Sequence, residues 1–221
     1  MKLYSYEESG NSYKVRLLLA LLGVEAETID VDLLQDAQHR PAYLAVNPRG
    51  EVPALVDGDL VLRDSAAILV HLAGRYAPDT WWSRDPTEQA RIVEWLAFAA
   101  SWVQYGVFTA RALVSFGIPA NGLPPDFPEN LEAARIRGRR SLEILDSQLR
   151  EHAWLACGRP TIADLAVFPY VALAPMGDIP LTPYPAVEAW IRRVRALPGF
   201  VPIPGLDDPR YRRRATEGSD G

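Results

Sequence analysis

Short apolar runs and amphipathic stretches alternate along the first third of the chain. Four runs are apolar and bounded by polar or turn-forming residues, and we interpret them as strands at residues 3–6, 26–31, 52–56 and 60–62. The last two runs are joined by Asp57-Gly58-Asp59, a Gly-containing connection that is typical of a β-hairpin.

Helical stretches separate these strands. Residues 13–22 have helical composition that ends at Gly23, a residue suited to the C-terminal end of a helix. A weaker pattern follows with Pro41 near a helix start, and Asp64-Ser65 place a capping residue before the helix formers at 66–72. The predicted order is βαβ-α-ββα, and its first unit is a parallel strand pair with a right-handed crossover.

Strand signals disappear in the rest of the chain. Residues 78–85 break the periodicity and are expected to form a linker. Long helices are predicted at residues 86–116 and 129–152, with a Pro-rich and Gly-rich surface loop at 117–128 between them. The apolar face of the first long helix consists of six residues, which are Ile92, Trp95, Leu96, Ala99, Trp102 and Val103.

Further helices are predicted near the end of the chain. Thr161 and Asp164 form the acidic variant of a capping box before an apolar run at 165–173. Another helix is expected at 186–197, and the segment after Pro202 is expected to be a loosely held extension. The second part of the chain, residues 86–221, is therefore predicted to be all-helical.

Composition excludes several classes of function. The chain has 221 residues, 48% of them hydrophobic, and a formal net charge of −5, which argues against a nucleic-acid partner. No run approaches the ~18 apolar residues of a membrane span, and the N-terminus lacks the features of a signal peptide, so a cytoplasmic location is expected. One cysteine and three histidines without ligand spacing predict no metal site.

The hairpin and the helix after it also carry candidate chemistry. If the Val52-Pro53 peptide bond were cis, the backbone of Val52 would form an unpaired edge that can pair with an extended peptide. The helix that starts after Asp64-Ser65 would offer free N–H groups and a positive dipole end to a carboxylate. The alternative interpretation is that Pro53 is an ordinary strand-start proline and Asp64 only a helix cap.

The spacing of these residues resembles the glutathione-binding signature of the glutathione transferase superfamily. The signature is an Asn-Pro-x-Gly-x-Val-Pro-x-Leu run, residues 47–55, followed by the acidic-Ser pair Asp64-Ser65. The resemblance covers residues 1 to about 200. It implies an α/β + all-α fold, with a thioredoxin-like glutathione-binding domain at 1–77 and an all-helical domain at 86–221. It also implies glutathione as co-substrate and a homodimer.

The loop before the first helix is where the resemblance places the thiol of glutathione. Only a thiolate is a competent nucleophile, so an enzyme must stabilise the sulfur anion. The segment from Ser9 to Arg16 is similar to serine-type members with a zeta-like Ser-Ser-x-x-x-x-Val-Arg pattern, in which Ser9 is the catalytic serine. Zeta members have cysteine at the position of Asn11, and a bacterial branch has asparagine there.

Ser9 and Asn11 are therefore the implied catalytic residues. The alternative for Ser9 and for Ser12 is helix capping. Tyr4 and Tyr6 are weaker rivals, because neither has the spacing of the phenol that tyrosine-type members use.

The resemblance also assigns residues to the rest of glutathione. Gln38 would reach its glycine end, Asp64 its γ-glutamyl amino group and Ser65 its carboxylate. The full implied set is Gln38, His39, Glu51, Val52, Pro53, Asp64 and Ser65.

An aromatic cluster in the first long helix is the candidate pocket for an apolar second substrate. Its members are Trp102, Tyr105, Phe108 and Arg111. Arg111 would indicate an anionic substrate if it faced the cleft, and the alternative for Trp102 and Phe108 is core packing.

The function expected from the resemblance is attack of the glutathione thiolate on a small apolar electrophile. A glutathione-dependent isomerase and a disulfide reductase are the alternatives within enzymes, and a disulfide reductase needs no protein cysteine because bound glutathione can attack. The alternative from another class is a binding module that has the fold without the activity.

Overall fold

A four-stranded mixed sheet forms the centre of the N-terminal part of the computed structural model, which describes residues 1–117 and 128–212. The strands are β1 (Lys2–Ser5), β2 (Glu27–Asp30), β3 (Ala54–Asp57) and β4 (Leu60–Leu62). Their order is β2-β1-β3-β4, with β1 and β2 parallel and the other pairs antiparallel. Leu3 pairs with Leu55, and both are fully buried, so the centre of the sheet is apolar.

Three helices complete this part of the chain, in the predicted βαβ-α-ββα order. They are α1 (Gly10–Leu22), α2 (Pro41–Leu44) and α3 (Ser65–Tyr76), with short 3-10 turns at Leu33–Gln35 and Ala37–His39. Helix α1 ends at Gly23, whose φ of 63° is the left-handed conformation that glycine adopts without a steric penalty.

The second part is helical over the residues described. A long helix, α4, spans residues 86–116 and alternates between two windings. Its α-helical segments are Pro86–Phe98 and Thr109–Arg111, and its wider π-helical segments are Ala99–Phe108 and Ala112–Phe116. It is followed by α5 (Pro128–Glu151), α6 (Ile162–Ala172), a 3-10 turn at Ala174–Gly177, and α7 (Pro185–Arg195). The loop predicted at 117–128 falls almost wholly outside the described residues.

The apolar face predicted for α4 is confirmed in part. Four of its members are buried in the core, which are Ile92, Leu96, Ala99 and Val103. Trp95 and Trp102 are only partly buried and line a groove between the outer sides of α4 and α5. The predicted apolar face therefore consists of two adjacent stripes, one that packs in the core and one that lines the outer groove.

One continuous core joins the two parts. The buried cluster contains Leu17 of α1 and Leu69 of α3 together with Leu142 of α5 and Phe168 of α6. Helix α6 is buried along its whole length, and it contacts both α1 and α3. The predicted capping box of α6 is present, since Thr161 and Asp164 exchange side-chain to backbone hydrogen bonds.

The segment after Pro202 is packed, which corrects the prediction of a loosely held extension for the residues up to Arg212. Ile203 is 2% exposed, and Tyr211 and Arg212 bond to Glu8 at the other end of the chain. The prediction failed because the apolar and carboxylate partners of this segment lie far away in sequence.

Within residues 1–117 and 128–212, no helix is both long enough and apolar enough to cross a membrane.

Candidate active site

A cleft of about 700 Å³ lies between the sheet-containing part and the helical part. Its walls come from the start of α1, the loop before β3, the start of α3, the inner side of α4 and Tyr170 of α6. Ten of the predicted site residues line it, which are Ser9, Asn11, Gln38, Glu51, Val52, Asp64, Ser65, Tyr105, Phe108 and Arg111. Segments far apart in sequence therefore converge on one cavity that contains both polar groups and aromatic rings.

Ser9 caps helix α1 and also faces this cleft. Its Oγ accepts a hydrogen bond from the N–H of Ser12 at 3.2 Å, which is the capping role. A hydroxyl group has one proton to donate in addition to its acceptor sites, so capping leaves the O–H of Ser9 available to a ligand. Both interpretations of Ser9 from the sequence are thus compatible.

Asn11 lies in the first turn of α1, where the helix dipole is positive. Its backbone N–H donates to the hydroxyl of Tyr170 at 3.1 Å, and its side-chain Oδ1 accepts from Lys14 Nζ at 2.8 Å. The backbone and the side chain of Asn11 are therefore each fixed by one hydrogen bond.

The loop before β3 presents its backbone to the cleft at a fixed position. The carbonyl oxygen of Glu51 accepts from the Tyr43 hydroxyl at 2.5 Å and from Asn47 Nδ2 at 2.6 Å. The next peptide bond, Val52-Pro53, is cis. Val52 lines the cleft, whereas Pro53 is buried behind it.

Asp64 caps helix α3 at the opposite wall. Its Oδ1 accepts from the N–H groups of Ala66 and Ala67 at 2.8 and 3.1 Å, so capping uses only one of the two carboxylate oxygens. Asp64 is exposed, and Ser65 beside it begins the helix. A carboxylate and a helix N-terminus at the same place can hold an ammonium group and a carboxylate group side by side.

Gln38 and His39 are adjacent in sequence but occupy different positions relative to the cleft. Gln38 lines the cleft, and its Oε1 is a buried acceptor without a partner among the residues described. His39 does not line the cleft: it is exposed, and its Nδ1 is 2.6 Å from Asp36 Oδ1.

Helix α4 contributes the aromatic side of the cleft. Tyr105 is half exposed, and Phe108 packs against Tyr170 with ring centroids 4.8 Å apart. Trp102, which the sequence also predicted here, lies in the outer groove with its ring 4.6 Å from the Arg137 guanidinium. Arg111 lines the cleft but is 3% exposed, and it donates to Met176 Sδ and to the Glu8 carbonyl.

Comparison with known families identifies the family to which this chain belongs. Residues 1–74 match the family model described as Glutathione S-transferase, N-terminal domain, and residues 128–193 match the one described as Glutathione S-transferase, C-terminal domain. The chain belongs to the glutathione S-transferase family. The predicted family, the fold class and the glutathione S-transferase-like type of enzyme are confirmed by these matches.

Two curated relatives show different activities within the family. A maleylacetoacetate isomerase of Pseudomonas aeruginosa is 48% identical over 94 residues, which are 41% of this chain and 44% of that protein. The match therefore spans less than half of that relative. The disulfide-bond oxidoreductase YfcG of Escherichia coli is 29% identical over 195 residues, which are 85% of this chain and 87% of that protein.

Two solved structures share the fold over about nine tenths of this chain. A glutathione S-transferase from Pseudomonas fluorescens has a TM-score of 0.83 and 32% identity, and the alignment covers 91% of this chain and 97% of that chain. The yeast prion protein Ure2p in complex with glutathione has a TM-score of 0.79 and 27% identity, with 90% and 95% of the two chains covered.

The rival tyrosines are occupied in this member of the glutathione S-transferase family. The Tyr6 hydroxyl donates to Glu8 Oε2 at 3.0 Å, and burial together with this carboxylate raises the pKa of Tyr6. Tyr4 packs against Tyr43 with ring centroids 5.7 Å apart. Tyr6 lines the cleft with its hydroxyl proton bound to Glu8, and Tyr4 does not line the cleft.

Lys14, Tyr170 and Glu8 line the cleft without having been singled out from the sequence. Burial lowers the pKa of the Lys14 ammonium to about 8, while the charge of Asp64 acts in the opposite direction. Lys14 follows Asn11 by three positions on α1, a spacing that places two side chains on the same helix face and could have pointed to it. Tyr170 comes from a distant helix, so no local pattern could reveal it.

Within the described ranges, no group of three or more His, Cys, Asp or Glu side chains could hold a metal ion.

Proposed function

We propose that this protein is a glutathione transferase that activates the thiol of glutathione with Ser9 and Asn11. The observation that carries the proposal is the convergence of the Ser9 hydroxyl and the Asn11 amide at the N-terminus of α1, inside a cleft that also contains Gln38, Val52 and Asp64. The solved complex of Ure2p with glutathione supports glutathione as the ligand.

The chemistry follows from the donors around the sulfur position. The thiol loses its proton to solvent, and the resulting thiolate accepts hydrogen bonds from the Ser9 O–H and the Asn11 Nδ2–H. The positive end of the α1 dipole adds to this stabilisation, as it does for cysteine thiolates at helix N-termini. The thiolate then attacks an electrophilic carbon, forming a C–S bond while the leaving group departs with the electron pair.

The remaining residues would seat the rest of glutathione. Asp64 pairs with the γ-glutamyl amino group, and Ser65 with the N-terminus of α3 binds its carboxylate. The backbone of Val52 pairs with the peptide in the β-addition mode, and Gln38 reaches the glycine end. Tyr105 and Phe108 form the apolar wall for the second substrate, without Trp102.

Disulfide reduction is the second candidate function. It is favoured by the similarity to YfcG, which extends over 85% of this chain, whereas the match to the isomerase is confined to 94 residues. In this reaction the bound thiolate attacks one sulfur of a disulfide, and the other sulfur leaves as a thiolate. Product analysis with a mixed disulfide, a maleyl compound and an aryl halide separates reduction, isomerisation and transfer.

We also propose a homodimer, the assembly that the resemblance implies. The outer groove between α4 and α5 supports it, because the partly buried rings of Trp95, Phe98 and Trp102 line this groove. Sedimentation velocity measures the assembly state directly.

The thiol role of Ser9 is tested by titrating glutathione against wild type and Ser9→Ala across pH, with the ultraviolet absorbance of the thiolate as readout. Wild type is expected to bind glutathione with its thiol ionising at least about one pH unit below the free value of ~8.5. Ser9→Ala is expected to bind it with most of that shift lost. The variant also loses a helix cap, which costs about 1 kcal/mol of stability.

Asp85→Ala is the matched control, since it removes the N-terminal cap of α4, a hydrogen bond from the N–H of Glu88, outside the cleft. It is expected to lose similar stability and to keep the wild-type ionisation of bound glutathione. If the shift survives in Ser9→Ala, Ser9 is not the thiol ligand. If wild type does not bind glutathione, the chain is a binding module that has the fold without this function.

A further inference from the structure

Lysine is rare in this chain, and one of its lysines lies in the cleft. The sequence has 23 basic residues, of which only Lys2 and Lys14 are lysines. Lys2 is on β1 with half of its side chain exposed, beside Glu27. Lys14 is 5% exposed and lines the cleft near the start of α1. A buried ammonium is costly unless it has partners, so its place calls for a reason.

The protein supplies few partners for this charge. Lys14 Nζ donates one hydrogen bond, to Asn11 Oδ1 at 2.8 Å, and lies 5.3 Å from the centre of the Tyr170 ring. Among the residues that the structure describes, Lys14 forms no ion pair. An ammonium has three protons to donate, so two of them remain for groups that the protein does not provide.

The contact with Lys14 also determines how the Asn11 amide is oriented. An ammonium can only donate, so the atom of Asn11 that it touches must be the carbonyl oxygen. The Nδ2 group then occupies the other side of the amide, and it has no acceptor among the described residues. Without Lys14, the amide could rotate by half a turn and present an oxygen to the sulfur, which would repel a thiolate.

We propose that Lys14 is a positioning residue of the thiol site, which fixes the Asn11 amide so that its N–H groups face the sulfur of bound glutathione. The proposal rests on the proposed function and deepens it by assigning how Asn11 is made a donor. The nearby groups that carry or can carry charge are Asp64 at the start of α3 and Tyr170 on α6, and neither bonds to the Lys14 ammonium.

The test measures the ionisation of bound glutathione in Lys14→Met, with Lys2→Met as the matched control. Lys14→Met is expected to bind S-methylglutathione, which has no thiol to ionise, within about threefold of wild type. Its bound glutathione is expected to ionise about one pH unit or more above the wild-type value, because the site loses an oriented donor and a nearby positive charge. Lys2→Met is expected to show the wild-type value.

A double-variant comparison separates positioning from a general effect of charge. If Lys14 acts through Asn11, Lys14→Met is expected to raise the pH at which glutathione ionises by much less in the Asn11→Ala background than in wild type, and the remaining shift is the direct effect of the lost charge. If the two shifts add in full, Lys14 does not act through Asn11 and the proposal is overturned. Non-additivity of this kind is the measure of coupling between neighbours.

Failure of this proposal can be told apart from failure of the proposed function. A wild-type shift that is unchanged in Lys14→Met overturns only the role of Lys14. Absence of any shift in wild type overturns both. If Lys14→Met does not fold by circular dichroism, Lys14→Leu, which also has no donor for Asn11 Oδ1, is measured in its place with the same outcomes.

Discussion

At the scale of single residues, Glu8 connects the loop before α1 to the segment that contains Tyr211 and Arg212. Its carboxylate is almost fully buried and accepts from Tyr6, Tyr211 and Arg212, while its carbonyl accepts from Arg111. Burial alone would raise the pKa of Glu8, but the hydrogen bonds from Tyr211, Arg212 and Tyr6 outweigh it and lower the pKa. Glu8, the residue directly before Ser9, is thus held in place by hydrogen bonds to its charged carboxylate.

Glu8→Gln is expected to destabilise the protein by about 2 kcal/mol near neutral pH, because Gln cannot accept three donors as a carboxylate does. The pKa of Glu8 is lower in the folded state than in the unfolded state, so this contribution is present above the unfolded pKa and is lost as pH falls through the folded pKa. Urea unfolding at several pH values measures it, with exposed Glu7→Gln as control. A difference between wild type and Glu8→Gln that stays constant on acidification would contradict this account.

The residues of the cleft differ in whether the sequence alone could predict them. The resemblance to the family's motifs, which are short local runs, predicts Ser9, Asn11, Val52 and Asp64 as site residues, and all four line one cleft. The place of Lys14 on the same face of α1 as Asn11 is a local feature, but its burial against Tyr170, about 150 residues away, is not, because long-range contacts leave no periodicity.

At the scale of elements, α4 and α5 cross where both carry glycine. A Cβ atom on Gly106 would lie 2.8 Å from the backbone N of Gly138 and 2.9 Å from its Cα. Backbone atoms at that distance cannot move aside as a flexible side chain can. The close approach therefore depends on the absence of a side chain at position 106.

Gly106→Ala is expected to cost about 2 kcal/mol or more, since overpacking a helix crossing forces the backbones apart. Gly74→Ala on α3 is the matched control: its Cβ would be 4.0 Å from the nearest atom, so it should stabilise by up to about 1 kcal/mol through helix propensity. Thermal unfolding of both variants makes the comparison. Equal midpoints for wild type and Gly106→Ala would show that the helices can separate without cost.

Element boundaries were predicted well, and the faces of the long helix less well. Strands, caps and helix ends follow local turn chemistry, which residues such as Gly23 and Asp64 carry by themselves. Trp95 and Trp102 were grouped with the buried stripe because they are large and apolar, but they line an outer groove. The choice between two adjacent stripes depends on the neighbouring helix and not on the helix itself.

At the scale of the whole molecule, the shared core predicts that both parts unfold together. All six tryptophans lie at residue 81 or later, so tryptophan fluorescence reports on the predicted linker and the helical part. We expect the fluorescence midpoint in urea to coincide with the midpoint for hydrogen exchange of β1, because α6 packs on α1 and α3. Two separated midpoints would show that the parts are independent.

Helix α6, buried along its whole length between the two parts, also bears on how ligands enter. The walls of this cleft share one core, so a hinge motion of one part against the other would disrupt the packing of that core. We therefore expect selection among electrophiles by the static shape of the opening, with half-exposed Tyr105 at its rim. Electrophiles that fit this opening are therefore expected to be accepted together, and those too large to pass Tyr105 to be excluded.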